Sequence, residues 1–146
     1  MVEVLEINEV IGSILINANF CERVNVLRSD SGTGKSFLFD LLLAGALIQN
    51  CSFYNLKFGL IDYNTILNGS LIKEHIIEVC KNKDVILMDD ADLYLSRSLI
   101  RELLIEFPNL MFIISIKFLH SILGIESIAF YTLEHTPHKL MVKKYA

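Results

Sequence analysis

This chain of 146 residues contains few of the residues that interrupt or cross-link a fold. It has two prolines, Pro108 and Pro137, and no stretch rich in proline, glycine or serine that would separate two domains. Its three cysteines, Cys21, Cys51 and Cys80, are odd in number and lack the spacing of a metal site. We therefore expect one domain with reduced, mostly buried thiols in the cytoplasm.

Charge and long apolar runs are also scarce. Charged residues make up 21% of the chain and the formal net charge is −4, which argues against a broad electrostatic surface for nucleic acid. Any contact with nucleic acid is therefore expected to be indirect. The most apolar segments, 37–48 and 110–119, are shorter than the roughly 20 residues of a membrane-spanning helix. Apolar residues nevertheless total 53%, which is enough for a substantial core.

The most informative segment is a glycine-containing turn, SDSGTGKS, at residues 29–36. It lies between a short apolar run and a longer apolar segment typical of a helix. Gly32 and Gly34 allow backbone N–H groups to point inward, and a helix N-terminus adds positive potential. Lys35 could reach the β- and γ-phosphates of a nucleotide, and the hydroxyl of Ser36 could bind Mg²⁺. The alternative is a Ser/Gly turn that caps a helix and binds nothing.

This turn resembles the Walker A loop of P-loop NTPases, although that pattern begins with glycine and this chain has Ser29. The resemblance implies ATP and Mg²⁺ as cofactors, with Lys35 also acting in catalysis. We expect Lys35 to lie on an exposed loop. The nucleotide-binding residues implied by the resemblance are Ser31, Gly32, Thr33, Gly34, Lys35, Ser36 and Phe37.

A second motif lies about fifty residues further on, where four apolar residues end in paired carboxylates at 84–90. Such a run predicts a strand buried on both faces, and carboxylates at its C-terminal end stand where open α/β sheets bind ligands. The segment resembles a Walker B strand. The resemblance implies that Asp89, with Ser36, holds Mg²⁺ and that Asp90 orients or deprotonates the attacking water. The alternative is an acidic strand end that begins a turn.

The order of predicted strands and helices favours an α/β fold, with a mainly parallel sheet, helices on both faces and extra N-terminal strands at 1–20. Over residues 22–135 the chain resembles the additional-strand class of P-loop NTPases, which includes AAA-type ATPases, in a minimal single-domain form. The resemblance implies a three-layer sandwich. It also implies that Ser115, at the end of the next strand, senses the γ-phosphate.

Several features of the AAA-type pattern are missing. The segment after the sensor strand offers only Lys117 and His120 where that family usually has an arginine, and no helical lid follows. Arg97 and Arg101 could serve a neighbouring subunit, but a solvated helix face is the favoured interpretation. Arginine fingers accelerate phosphoryl transfer by about 10³–10⁵-fold. Without one in place, we expect slow intrinsic hydrolysis. The apolar helix predicted at 35–49 is expected to be covered by the N-terminal strands or by a partner chain.

Glu134, His135 and His138 could together suggest a metal site, but a turn with surface histidines is favoured. Three functions remain open. The first is an ATP-binding switch with slow or partner-stimulated ATPase activity. The second is a non-enzymatic nucleotide-binding or structural subunit of a larger complex. The third is a small-molecule kinase, which is least favoured because the chain has no arginine-rich lid segment after Ser115.

Overall fold

The computed structural model describes residues 2–28, 34–62, 64, 72–117 and 124–145. The strands are β1 (Leu5–Ile11), β2 (Ile14–Phe20), β3 (Val24–Arg28), β4 (Phe58–Ile61), β5 (Val85–Met88), β6 (Met111–Ile116), β7 (Ile128–Thr136) and β8 (Lys139–Tyr145). The helices are α1 (Lys35–Gly45), α2 (Ile72–Cys80) and α3 (Arg97–Glu106), with a single 3₁₀ turn at Ala91–Leu93.

All eight strands belong to one mixed sheet with the order β1-β2-β8-β7-β3-β6-β5-β4. The five strands from β7 to β4 run parallel to one another. The β1–β2 and β7–β8 pairs are antiparallel hairpins, and β2 joins β8 in parallel through a short register at Leu15–Asn17. The N-terminal hairpin therefore extends the sheet that carries the central strands.

The burial of each strand follows its sequence pattern. Strands β5 and β6 are apolar apart from Ser115, and every residue in them is buried, as expected for strands covered on both faces. Strand β1 instead alternates, with Leu5 and Ile7 buried and Glu6 and Asn8 exposed. This alternation indicates a strand with one face toward the core and one toward water.

Two apolar cores lie on opposite faces of the central strands. One contains the buried side chains of α1, including Leu38 and Leu42, together with residues of β1, β2 and β8 such as Ile7. The other contains α2 and α3, represented by Ile76 and Ile100, packed on the second face. Strands β1, β2 and β8 of the same chain pack against the buried side of α1, whereas a stripe formed by Ser36, Asp40 and Ala44 remains exposed.

The predicted fold class, a mainly parallel α/β sheet in a helix-rich three-layer sandwich, is wrong. The molecule consists mostly of strands, arranged as an eight-stranded mixed sheet that curls into a half-barrel, and its described part has three short helices. The sequence pattern predicts the N-terminal strands at 1–20 but does not show which strands they pair with. They in fact pair through β2 and β8 and form one continuous sheet with the rest.

Helix boundaries also differ from the sequence predictions. The helix expected at 35–49 ends at Gly45, where the hydrogen bonds tighten into turns: Leu47 N donates to Ala44 O and Ile48 N donates to Gly45 O, each at 3.0 Å. Ser96 caps α3, since its hydroxyl accepts a hydrogen bond from Leu99 N at 3.2 Å. The short helix expected at 118–124 falls almost wholly outside the described residues. Within the described ranges, no helix has the length and apolarity needed to cross a membrane.

Candidate functional site

A cavity of about 480 Å³ opens where β3, β5 and β6 end and α1 begins. Its volume falls within the roughly 300–1,000 Å³ typical of small-ligand sites. The lining residues are Gly34, Lys35, Ser36, Phe37, Asp89, Asp90, Lys117 and His135. Six of these are among the site residues predicted from the sequence. The other two, Lys117 and His135, were not predicted as site residues. The predicted residues Ser31, Gly32 and Thr33 lie outside the described part of the chain.

The two motifs meet because of strand order. Strand β6 lies between β3 and β5, and the three run parallel, so their C-terminal ends share one edge of the sheet. Ser36 lies in the first turn of α1, the helix that follows β3 in the chain, while Asp89 directly follows β5. Residues 53 positions apart in the chain therefore come into hydrogen-bond contact.

Asp89 is the centre of a hydrogen-bonded group of side chains. The Ser36 hydroxyl donates to Asp89 Oδ2 at 2.7 Å, and the Ser115 hydroxyl donates to Asp89 Oδ1 at 2.8 Å. Ser115 Oγ also accepts a hydrogen bond from the backbone N–H of Asp90 at 2.9 Å. Ser115 is fully buried, so its hydrogen bond holds the carboxylate from the interior of the protein. Ser36 holds the same carboxylate from the cavity side.

Asp90 adopts a left-handed backbone conformation, with φ 48° and ψ 48°. This conformation disfavours most L-residues, although Asp and Asn tolerate it better than others. The hydrogen bond from Asp90 N to Ser115 stabilises the turn, and the 3₁₀ segment that begins at Ala91 continues from it. The turn directs the chain away from the sheet and leaves Asp90 lining the cavity.

The expectation that Lys35 lies on an exposed loop is wrong. Lys35 is the first residue of α1 and is 6% exposed. Gly34 precedes it as the N-cap, with φ 96°, a left-handed conformation suited to glycine. The lysine is thus held at the N-terminus of a helix inside the cavity wall, where its side chain cannot move freely in solvent.

Tyr94 holds the backbone of the site in place, although it belongs to no sequence motif. Its hydroxyl lies 2.8 Å from the carbonyl oxygen of Asp89 and 3.0 Å from that of Ile61, so it bridges the ends of β5 and β4. Burial, and then the negative charge of Asp89, raise the pKa of this phenol above its ordinary value. Tyr94 therefore remains a neutral hydrogen-bonding group that holds the Asp89 backbone in place.

His135 lies at the cavity, although the sequence favoured a surface turn for it. Its ring is stacked on that of Phe37, with centroids 5.5 Å apart and an interplanar angle of 16°. Its Nδ1 would lie 2.9 Å from a Cβ atom placed on Gly34. Strand β7 pairs directly with β3, and this topology, which the local sequence does not reveal, brings His135 over the start of α1.

Lys117 is the second lysine at the cavity, and it lies on the opposite side of β3 from β7. It follows the last residue of β6, and its backbone N–H donates to Asp92 Oδ2. In the sequence, Lys117 falls in the segment where AAA-type ATPases usually carry an arginine. The arginines lie elsewhere: Arg101 donates to the carbonyl oxygen of Gly124 at 3.3 Å, and the described lining of the cavity includes no arginine.

No cluster of three or more histidine, cysteine, aspartate or glutamate side chains suited to a metal occurs among the described residues. Glu134 pairs with Lys143 at 3.1 Å, and His138 is exposed away from the cavity lining. The oxygens of Ser36 and Asp89, 2.7 Å apart, nevertheless suit Mg²⁺, which takes one or two protein oxygens and completes its shell with water and phosphate.

No protein-family model and no curated protein sequence matches this chain. The case for a function therefore depends on the geometry of the cavity and on the two motifs that line it.

Proposed function

We propose that this chain binds a nucleoside triphosphate, ATP in the first instance, with Mg²⁺ in the cavity at the start of α1. We further propose that it works as a nucleotide switch with slow or partner-stimulated ATPase activity. The observation that carries the proposal is the contact of Ser36 with Asp89, supported by Ser115. Both Walker-like motifs contribute to it, which favours the P-loop resemblance over a turn that merely caps a helix.

The positive groups of the cavity suit a polyphosphate. Lys35 is held at the helix N-terminus, where the helix dipole adds to its charge. Lys117 lines the same cavity from the end of β6. When bound, Mg²⁺ would neutralise phosphate charge, with Ser36 and Asp89 as its protein partners.

Asp90 is the candidate for activating water. It lines the cavity beside Asp89, and its backbone is fixed by the hydrogen bond to Ser115. A carboxylate held in this way can orient a water molecule and accept its proton. We expect slow turnover by the isolated chain, because the described part of the cavity lacks an arginine that would stabilise charge in the transition state.

The same lack of arginine favours one alternative, a nucleotide-binding subunit without catalytic activity. In that case the chain would bind ATP but release no phosphate, and the nucleotide would serve as a structural element. A small-molecule kinase remains the less favoured proposal, as it was from the sequence. A protein partner or second copy of the chain, and a cytoplasmic location, also remain proposals.

Calorimetric titration with ATP, ADP and GTP, with and without Mg²⁺, tests the proposal. We expect Mg²⁺-dependent binding of ATP that Ser36→Ala weakens, because the variant removes the hydroxyl that contacts Asp89. Ser13→Ala, an equal change at an exposed serine in the β1–β2 turn, should leave binding unchanged. Phosphate release by the wild type then separates the ATPase from the non-enzymatic alternative. Failure of ATP to bind under every condition would contradict both.

A further inference from the structure

The cavity has a polar end and an aromatic end. Across the edge of the sheet the order is His135 on β7, then α1 after β3, then Lys117 after β6, and finally the carboxylates after β5. With strands about 4.8 Å apart, the distance from β7 to β5 is about 14 Å. An extended ligand with one charged end and one flat apolar end fits this order.

The aromatic end is formed by Phe37 and His135, which we name the aromatic pair. Their rings are nearly parallel, with an interplanar angle of 16°. Phe37 is nevertheless 40% exposed and His135 is exposed as well, so the pair does not belong to either apolar core. Exposed rings beside a cavity of charged groups are accessible to a ligand that carries a flat ring.

We infer that the aromatic pair stacks on the base of the bound nucleotide and so fixes its direction in the cavity. This inference rests on the proposed function and specifies how the ligand is oriented. The base lies on the β7 side, and the phosphates extend along the start of α1 toward Lys117 and the two carboxylates. The other orientation would put the base among Asp89, Asp90 and Lys117, where an uncharged ring would displace water from charged groups.

Stacking recognises the face of a ring, which every base has. The aromatic pair should therefore strengthen binding of ATP and GTP alike. It should not affect a ligand that has phosphates and no base. Inorganic tripolyphosphate is such a ligand and serves as the probe for the polar end alone.

The test compares His135→Ala and His135→Phe with the wild type, by titration of ATP, GTP and tripolyphosphate in the presence of Mg²⁺. We expect His135→Ala to weaken ATP and GTP binding by about tenfold, within the range measured for base–aromatic stacking. Tripolyphosphate affinity should stay within about twofold. His135→Phe should restore ATP affinity, because it keeps a ring and removes the ring nitrogens. His138→Ala, in the same hairpin but outside the cavity lining, is the matched control.

The outcomes separate this inference from the function on which it rests. If the wild type binds ATP and His135→Ala binds it equally well, the stacking inference is wrong and the proposed function stands. If His135→Ala also loses affinity for tripolyphosphate, or if His135→Phe fails to restore ATP binding, His135 acts through its nitrogens or through local folding. Either result overturns the stacking inference. Loss of only one of ATP and GTP would indicate recognition of the base edge and would also overturn the inference. A wild type that binds neither nucleotide nor tripolyphosphate overturns both proposals.

Discussion

At the scale of single residues, the site depends on one carboxylate that two hydroxyls hold from opposite sides. Asp89 accepts hydrogen bonds from Ser36 and Ser115, and its backbone carbonyl meets the hydroxyl of Tyr94. The sequence marked the first three residues, because each lies in or beside a recognisable motif. It did not place Tyr94 or His135 at this cavity, because their contacts depend on strand order.

The two neighbouring carboxylates should have separable effects. We expect Asp89→Asn to weaken the Mg²⁺-dependent part of ATP binding, since the amide lacks the negative charge that attracts the cation. Asp90→Asn should leave affinity within about threefold and abolish phosphate release, because an amide cannot accept the proton of the attacking water. Titration and single-turnover phosphate release measure the two effects. Equal loss of binding in both variants would contradict the assigned roles.

At the scale of secondary-structure elements, continuous apolar runs were the most readable signal. The strands β5 and β6 lie close to the positions predicted for them, because burial on both faces is a local property of the sequence. The end of α1 was less readable. The apolar run predicted a helix to residue 49, whereas hydrogen-bonded turns follow Gly45 in the structure.

Helix α2 carries a buried thiol whose titration should be visible in the stability of the fold. Burial, and then the charge of Glu106, raise the pKa of Cys80 from 9.0 to about 12. In the unfolded chain the thiol ionises near pH 9, whereas in the folded state it stays protonated up to about pH 12. The unfolded state therefore loses its proton first, and the free energy of unfolding falls as the pH rises above about 9.

We expect Cys80→Ala to make this fall less steep, most clearly between about pH 10 and 11, where the thiol is ionised in the unfolded state and still protonated in the folded state. Urea unfolding at a series of pH values measures the slope for each protein. The comparison uses the change with pH within each variant, so a constant loss of packing in Cys80→Ala does not affect it. The same slope in both proteins would show that Cys80 does not carry the effect.

At the scale of the whole molecule, the order of the strands brings the two motifs together. Each motif follows a strand that ends at the same edge of the sheet, so Lys35, Ser36, Asp89 and Asp90 line one cavity, while their role in nucleotide binding stays a prediction. The helix-rich sandwich was wrong, because nothing local shows that β2 pairs with β8 or that this end of the sheet packs against α1. Pairings between distant strands are fixed by the packing of the complete chain.

The surface also bears on assembly. The sequence predicted that the N-terminal strands or a partner chain would cover α1, and in the structure the N-terminal strands pack against one side of that helix. Among the described residues, nine large apolar side chains are exposed, including Leu47 at 82% and its neighbour Ile48 at 40%. Contiguous exposed apolar surface is typical of a protein interface.

If the proposed partner is a second copy of the chain, we expect a dimer at high concentration and a hydrolysis rate per molecule that rises with concentration. A monomer whose rate stays constant would leave a different protein as the partner. Light scattering and phosphate release across a concentration series measure both properties. A dimer, or a rate that rises with concentration, would support an interface between copies of the chain.

The central claim is that the cavity at the start of α1 binds Mg²⁺ and ATP, and the melting temperature of Lys35→Met tests it most directly. Methionine keeps much of the apolar stem of this buried lysine and removes the charge, which limits any loss of folding stability. Lys81→Met, on the exposed surface, is the control, because its ion pair with Glu78 contributes little. We predict that Mg²⁺-ATP raises the melting temperature of the wild type and of Lys81→Met, since a ligand of the folded state stabilises it, and that Lys35→Met loses most of this rise. An equal rise in all three proteins would contradict the claim.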